Sequence, residues 1–182
     1  MIGVCQIVVS ELPVVPQAFS GLALFSLFMR AENGYPDPPV GFADDGWEIR
    51  TYANLSDVVA VDAPSPSAVK PFPVRWQALV GDLPAWDDAD RVLSSEQRAE
   101  VEDGFHDLVP GPADGFKVGG WPTLIQSEIS WGLGPQHPAA PEYVLQIDSN
   151  EKSGIAWGDN GVMYIGKGTA DPTAWAIEWQ CM

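Results

Sequence analysis

LQIDSNEKSGIAWGDNGVMYI, residues 145–165, reads as a strand, a long polar connection, a glycine and a second strand. The run CQIVVSELPVVPQAFSGLALF, residues 5–25, has the same order. Laid together 140 residues apart without a gap, Gln6 meets Gln146, Ile7 meets Ile147, Glu11 meets Glu151 and Gly21 meets Gly161. The two stretches read as copies of one unit. Val4–Ile7 with Leu22–Phe25, and Val144–Ile147 with Val162–Ile165, are expected to form related strand pairs.

Outward from these pairs the chain alternates strands and loops. Val4–Val9 and Leu22–Met29 are strands, the second apolar throughout and so expected to be buried on both faces. The stretch 31–46 is a polar loop ending in an Asp44-Asp45-Gly46 turn. Trp47–Tyr52 alternates, with Trp47, Ile49 and Thr51 on one side and Glu48, Arg50 and Tyr52 on the other. Ala63–Pro73 carries Pro64, Pro66, Pro71 and Pro73 and reads as loop or edge. Val74–Val80, Thr123–Glu128, Tyr143–Ile147 and Trp175–Trp179 are further strand candidates. One helix is expected over about 95–108. Ser94 and Gln97 form its capping box, and Val101, Phe105 and Leu108 form its apolar stripe.

Nine Lys+Arg against 25 Asp+Glu give a net charge of −16, while hydrophobic residues make up 46%, enough for a packed core. A field of that sign repels phosphate backbones and anionic lipid, which sets nucleic acid and membranes aside and leaves a basic protein or a small polar ligand as partner. Neither Cys5 nor Cys181 sits in a CxxC pair, so both read as reduced thiols of a cytoplasmic protein, with pairing between the chain ends left open. No Lys or Arg precedes Arg30, and Glu11, Pro13 and Pro16 break the apolar start, against a signal peptide.

KVGGWPTLIQSE from Lys117, YVLQIDS from Tyr143, WGDNGVMYI from Trp157 and WAIEWQC from Trp175 occur in order. They resemble the C-terminal part of the YwqG-like family, bacterial proteins of unknown function. Phe116–Cys181 carries the resemblance most specifically, and Val4–Met29 more loosely. The resemblance implies a β-rich α+β fold, with antiparallel sheets from two related halves, in a single domain over 1–182. The first copy would span about 4–60 and the second about 116–182. The place for an earlier GGWP-like segment falls before Met1, so the first half is expected to be incomplete and to expose a sheet edge or apolar patch. No enzyme activity and no cofactor is implied.

No catalytic constellation is legible. Asp148 and Asp159 flank one connection and are the best carboxylate pair, suited to acid–base work in a hydrolase-type enzyme if they share a cleft. The alternative is a pair of turn residues, since Asp159-Asn160-Gly161 is a hairpin signature. The 12 residues from Asp148 to Asp159 fail as a calcium loop, with Lys152 and Ser153 at its fifth and sixth places. Two histidines, His106 and His137, and two distant cysteines make no zinc pattern, and Gly119-Gly120 lacks a phosphate-binding motif. The leading reading is a non-catalytic binding or protein-interaction module. Its candidate site is Trp121, Gln126, Gln146, Asp148, Trp157 and Asp159, with Trp121 and Trp157 as the exposed aromatic pair. Gln126, Gln146 and Gln180, in apolar settings, are expected to tie strands together or line a polar pocket.

Overall fold

The structure, a computed structural model, describes the chain except residues 40–45, 62–66, 72, 106–108 and 133–136. The Asp44-Asp45 part of the expected turn, Pro64, Pro66, His106 and Leu108 therefore lie outside the described residues. Strands β1 (Ile2–Val8), β2 (Leu24–Met29), β3 (Ala31–Glu32), β4 (Tyr35–Pro36) and β5 (Trp47–Tyr52) are followed by helices α1 (Trp86–Val92) and α2 (Ser95–Val101). Then come β6 (Lys117–Val118), β7 (Pro141–Asp148), β8 (Val162–Gly168) and β9 (Trp175–Gln180). The first sheet has the order β1-β2-β5, the second β6-β7-β8-β9, and β3-β4 is a small hairpin. All pairings in the two large sheets are antiparallel. The chain is thus α+β and β-rich.

The two sheets share one core. Ile7, Phe25, Leu27 and Met29 from the first meet Leu145, Ile147, Met163 and Ile165 from the second in a single cluster. Phe25 packs edge-on against Trp175 at 5.2 Å between centroids, joining the sheets. Strand β2 is buried along nearly its whole length, as its unbroken apolar run predicts. Trp47 and Ile49, and likewise Trp175, Ile177 and Trp179, pack against this core from the inward side of their strands.

β1, β2 and β5 correspond to β7, β8 and β9, while among the described residues β6 has no counterpart in the first sheet. Gln6, Ser26 and Arg50 stand in one row across the first sheet, as Gln146, Tyr164 and Glu178 do across the second. The register is irregular between Gly3 and Cys5 and again between Tyr143 and Leu145, the same place in the two pairs. Val9 N–H donates to Ala23 O at 3.0 Å, and Ser149 N–H to Gly161 O at 2.9 Å. Ala23, rather than Gly21, is therefore the structural counterpart of Gly161. The ungapped match holds on the first strand of each pair, and the connection is two residues shorter in the second pair. The outer face of the first sheet carries Gln6, Ser26, Glu48 and Arg50, with the Arg50 guanidinium 4.9 Å from the Phe28 ring centroid. Val8, Leu24, Phe28 and Tyr52 share that face, so it is mixed rather than an apolar patch, and among the described residues β1 is an unpaired edge of its sheet, the edge that β6 covers in the second sheet.

Several elements differ from expectation. Val74–Val80 is irregular, with Val80 95% exposed, because only Trp76 among its residues joins the core, packing edge-on against Phe116. Thr123–Glu128 is irregular because side chains, not a neighbouring strand, take its backbone N–H groups. The capping box forms as predicted, but α2 ends at Val101 and passes into a 3-10 turn at Glu102–Gly104. Phe105 of the expected stripe is buried against Trp86 of α1, a helix the sequence reading did not include.

Gly161 is fixed by close approach. A Cβ there would collide with the carbonyl oxygens of Trp157 and Gln180. Backbone on both sides cannot yield as a side chain does, so Gly161→Ala is expected to cost about 1–3 kcal/mol. Urea denaturation, with the slope unchanged and the midpoint lowered, checks this.

Candidate functional site

Residues 113–132 form a strap over the outer face of the second sheet, where Ile125, Ile129 and Trp131 pack on Tyr143, Val162, Tyr164 and Ala176. Its beginning is shaped by Gly119 and Gly120, at φ +73° and +70°, a left-handed pair that side-chain-bearing residues resist. The double turn aims Trp121 N–H at Asp82 Oδ2 (2.7 Å), while Asp82 Oδ1 accepts from Ala113 N–H at 2.8 Å. Lys117 Nζ lies 3.3 Å from the same carboxylate and donates to Ala113 O at 2.8 Å.

The rest of the strap hangs on amides and carboxylates of the sheet. Gln146 accepts from Thr123 N–H at 2.8 Å and donates to Gly115 O at 3.1 Å. Gln180 Oε1 accepts from Ile125 and Gln126 N–H, both at 3.1 Å, and its Nε2 donates to Ser127 O at 2.9 Å. Glu178 accepts from the N–H groups of Ser130 and Gly132, each at 3.1 Å. These fully paired polar groups act as a row of clasps, since a buried amide without partners would be costly.

Burial raises the Asp148 carboxyl above its ordinary value, against Gly115 N–H and the Gln146 amide, which lower it; nearby Asp114 raises it further. Burial lowers Lys117, opposed by Asp82. Tyr143 and Tyr164 are both raised, mainly by burial. An acid whose folded value exceeds its unfolded value binds its proton more tightly in the fold, so ionisation subtracts stability. The stability of the native protein relative to Asp148→Asn is therefore expected to fall as pH rises above 3.8, and to level off beyond the raised value. Denaturation midpoints of both proteins across acidic pH check the sign.

The predicted site residues disperse. Gln146 and Asp148 meet, with Gln146 Nε2 donating to Asp148 Oδ1 at 3.1 Å. Asp159 is exposed in the turn after Trp157, and it is not among the groups that act on the Asp148 carboxyl. Trp157 was expected to be exposed and is instead fully buried, its indole N–H donating to Ile147 O at 2.7 Å. The turn beginning at Gly158 folds the ring back under the strands it connects. Trp121 is half-buried and Gln126 exposed, at two different clefts. Asp82, which clasps the start of the strap, carried no local motif, and Lys117 stood out only as the first residue of the KVGGWP stretch. Cys5 and Cys181 are free thiols, and burial pushes Cys5 up to about 12.

The larger cleft, about 560 Å³, runs along β9. Trp47, Trp131, Trp175 and Trp179 line it together with Gln126 and Glu178. A smaller one of about 340 Å³ lies by Trp121, Asp88 and Tyr143. Several indoles beside an amide and hydroxyl groups, in a volume suited to a ligand, make the larger cleft the best-equipped recognition surface described. Among the described residues no group of three or more His, Cys, Asp or Glu is arranged to hold a metal ion, and no helix is long and apolar enough to cross a membrane.

A family model described as a domain of unknown function (DUF1963) matches residues 43–166, a span that takes in β5 and reaches into β8. No curated protein matches the chain.

Proposed function

The chain belongs to this domain family of unknown function, and we propose that it is a non-catalytic binding module whose ligand lies in the tryptophan-lined cleft beside β9. The finer YwqG-like assignment and a cytoplasmic setting are part of the same reading, carried by the four ordered motifs and the reduced thiols. So is the duplication, which the matching registers of the two sheets support. The observation that carries the function is the cleft itself. Four indoles and the Gln126 amide surround open space, while the carboxylates of Asp82, Asp148 and Glu178 are engaged in holding the strap.

Titration against neutral oligosaccharides and against Lys-bearing peptides, followed by tryptophan fluorescence, tests the reading. A ligand of either kind should bind, and Gln126→Ala should weaken it without lowering the melting temperature, since the Gln126 side chain is exposed. Saturable binding that ignores every cleft substitution would contradict it. One observation favours an enzyme instead: the Asp148 carboxyl, raised by burial, resembles a general acid. Under that reading Asp148 works without the Asp159 partner first expected. Hydrolytic turnover abolished by Asp148→Asn, with normal ligand affinity, would establish it.

A further inference from the structure

The cleft is also a sheet edge. Gly168 N–H donates to Ala174 O at 3.0 Å, which fixes the phase of the β8–β9 ladder. Bonded and non-bonded pairs alternate along an antiparallel ladder, so Ala176, Glu178 and Gln180 exchange their backbone bonds with β8. The N–H and C=O groups of Trp175, Ile177 and Trp179 then point away from the sheet into the cleft. Among the described residues no backbone bond to these outward groups is present. Strand β9, WAIEWQ, has no proline, lysine or register shift, the usual guards of an edge. Its counterpart β5 is likewise the edge of its sheet, and Trp47 faces the same cleft.

We infer that β9 pairs with an extended, lysine-bearing segment of a partner protein, which adds to the second sheet as a further strand. This rests on the cleft reading above and names its ligand. A strand there would receive main-chain bonds from the three outward residues and place alternate side chains on two walls. One wall carries the Trp47, Trp175 and Trp179 rings and takes apolar groups. The other, the strap side, carries Glu178, whose strap partners are the neutral N–H groups of Ser130 and Gly132 and the Ser130 hydroxyl rather than a cation, and takes the lysines. Among the described residues the cleft lining holds Glu178 and no Lys or Arg, and the neighbouring cation, Lys167, sits 4.1 Å from the Trp175 ring centroid on the apolar wall, away from Glu178. The charge of −16 decides between partners, because it draws a cationic segment in and sets two copies of this chain against each other.

The probe is a synthetic ten-residue peptide alternating valine and lysine. Versions of it carry glutamate for lysine, or N-methyl groups on one or the other set of alternate amides. The lysine peptide should bind and slow hydrogen exchange at the amides of Trp175, Ile177 and Trp179. The glutamate version should bind at least tenfold more weakly. One N-methylation pattern should abolish binding and the other spare it, since only one set of amides faces β9. Ile177→Pro removes an outward N–H that the ladder does not use, so it should lose binding while keeping a cooperative melt. If that variant does not fold, the N-methylated pair decides. Equal binding by both N-methylated peptides, glutamate binding as well as lysine, or no peptide binding at all would overturn the inference. So would concentration-dependent self-association that Ile177→Pro disperses. A neutral oligosaccharide that still perturbs the cleft while no peptide binds defeats edge pairing and leaves the binding module standing. Silence of the cleft toward every ligand defeats both.

Discussion

Trp157→Ala is expected to remove about 3–5 kcal/mol of stability, the loss typical of a fully buried large aromatic. The indole is 0% exposed and sits in the core shared by both sheets. Its N–H donates to Ile147 O of β7, a bond that the alanine variant also loses. Domains of this size hold only about 5–15 kcal/mol in total, so the variant stands near unfolding at physiological temperature. Trp157→Phe fills most of the volume and forfeits the hydrogen bond, and should lose clearly less. Urea denaturation of the pair separates the packing loss from the bond. A near-native midpoint for the alanine variant would place the ring outside the core.

Asp82→Ala carries the second large expected loss, also about 3–5 kcal/mol, because it strands a charge. The Lys117 and Asp82 side chains are 11% and 10% exposed, and the ammonium has this carboxylate as its near counter-charge. The substitution also orphans two strap N–H groups, those of Ala113 and Trp121. Adding Lys117→Met to the alanine variant should return part of the loss, because the uncompensated charge is gone while the orphaned amides remain. A double-mutant cycle reads the coupling. Exchange at Trp121 N–H should speed up in both variants, showing the strap loosened at its first clasp.

Much of the framework was legible because hydrophobic period and turn chemistry are local. The strands around Ile7, Phe25, Leu145 and Ile165 announce themselves by composition, and Ser94-x-x-Gln97 by its capping spacing. The buried glutamines were legible as ties, since an amide in an apolar strand must find partners. What failed depended on the other end of a bond. Thr123–Glu128 has strand-like composition, yet its amides go to Gln146 and Gln180, residues that no local pattern links to it. Asp82 and Lys117 lie 35 residues apart, and their pairing follows only from where the Gly119-Gly120 turn sends the chain. Trp157 stands just before the Gly158-Asp159-Asn160 turn, which reads as surface until the turn is seen to close over the ring. The cleft was invisible for the same reason: it is built from the edges of two sheets, and strand order is not written in any one strand.

The central claim, a binding module working through the β9 cleft, is tested most directly by the indole N–H resonances of the eight tryptophans in a nitrogen-15 spectrum. With the lysine–valine peptide or an oligosaccharide added, the signals of Trp47, Trp175 and Trp179 should move together and saturably, while buried Trp157 stays in place. Saturable binding that leaves those three unmoved, or shifts confined to Trp121 at the smaller cleft, would contradict the account.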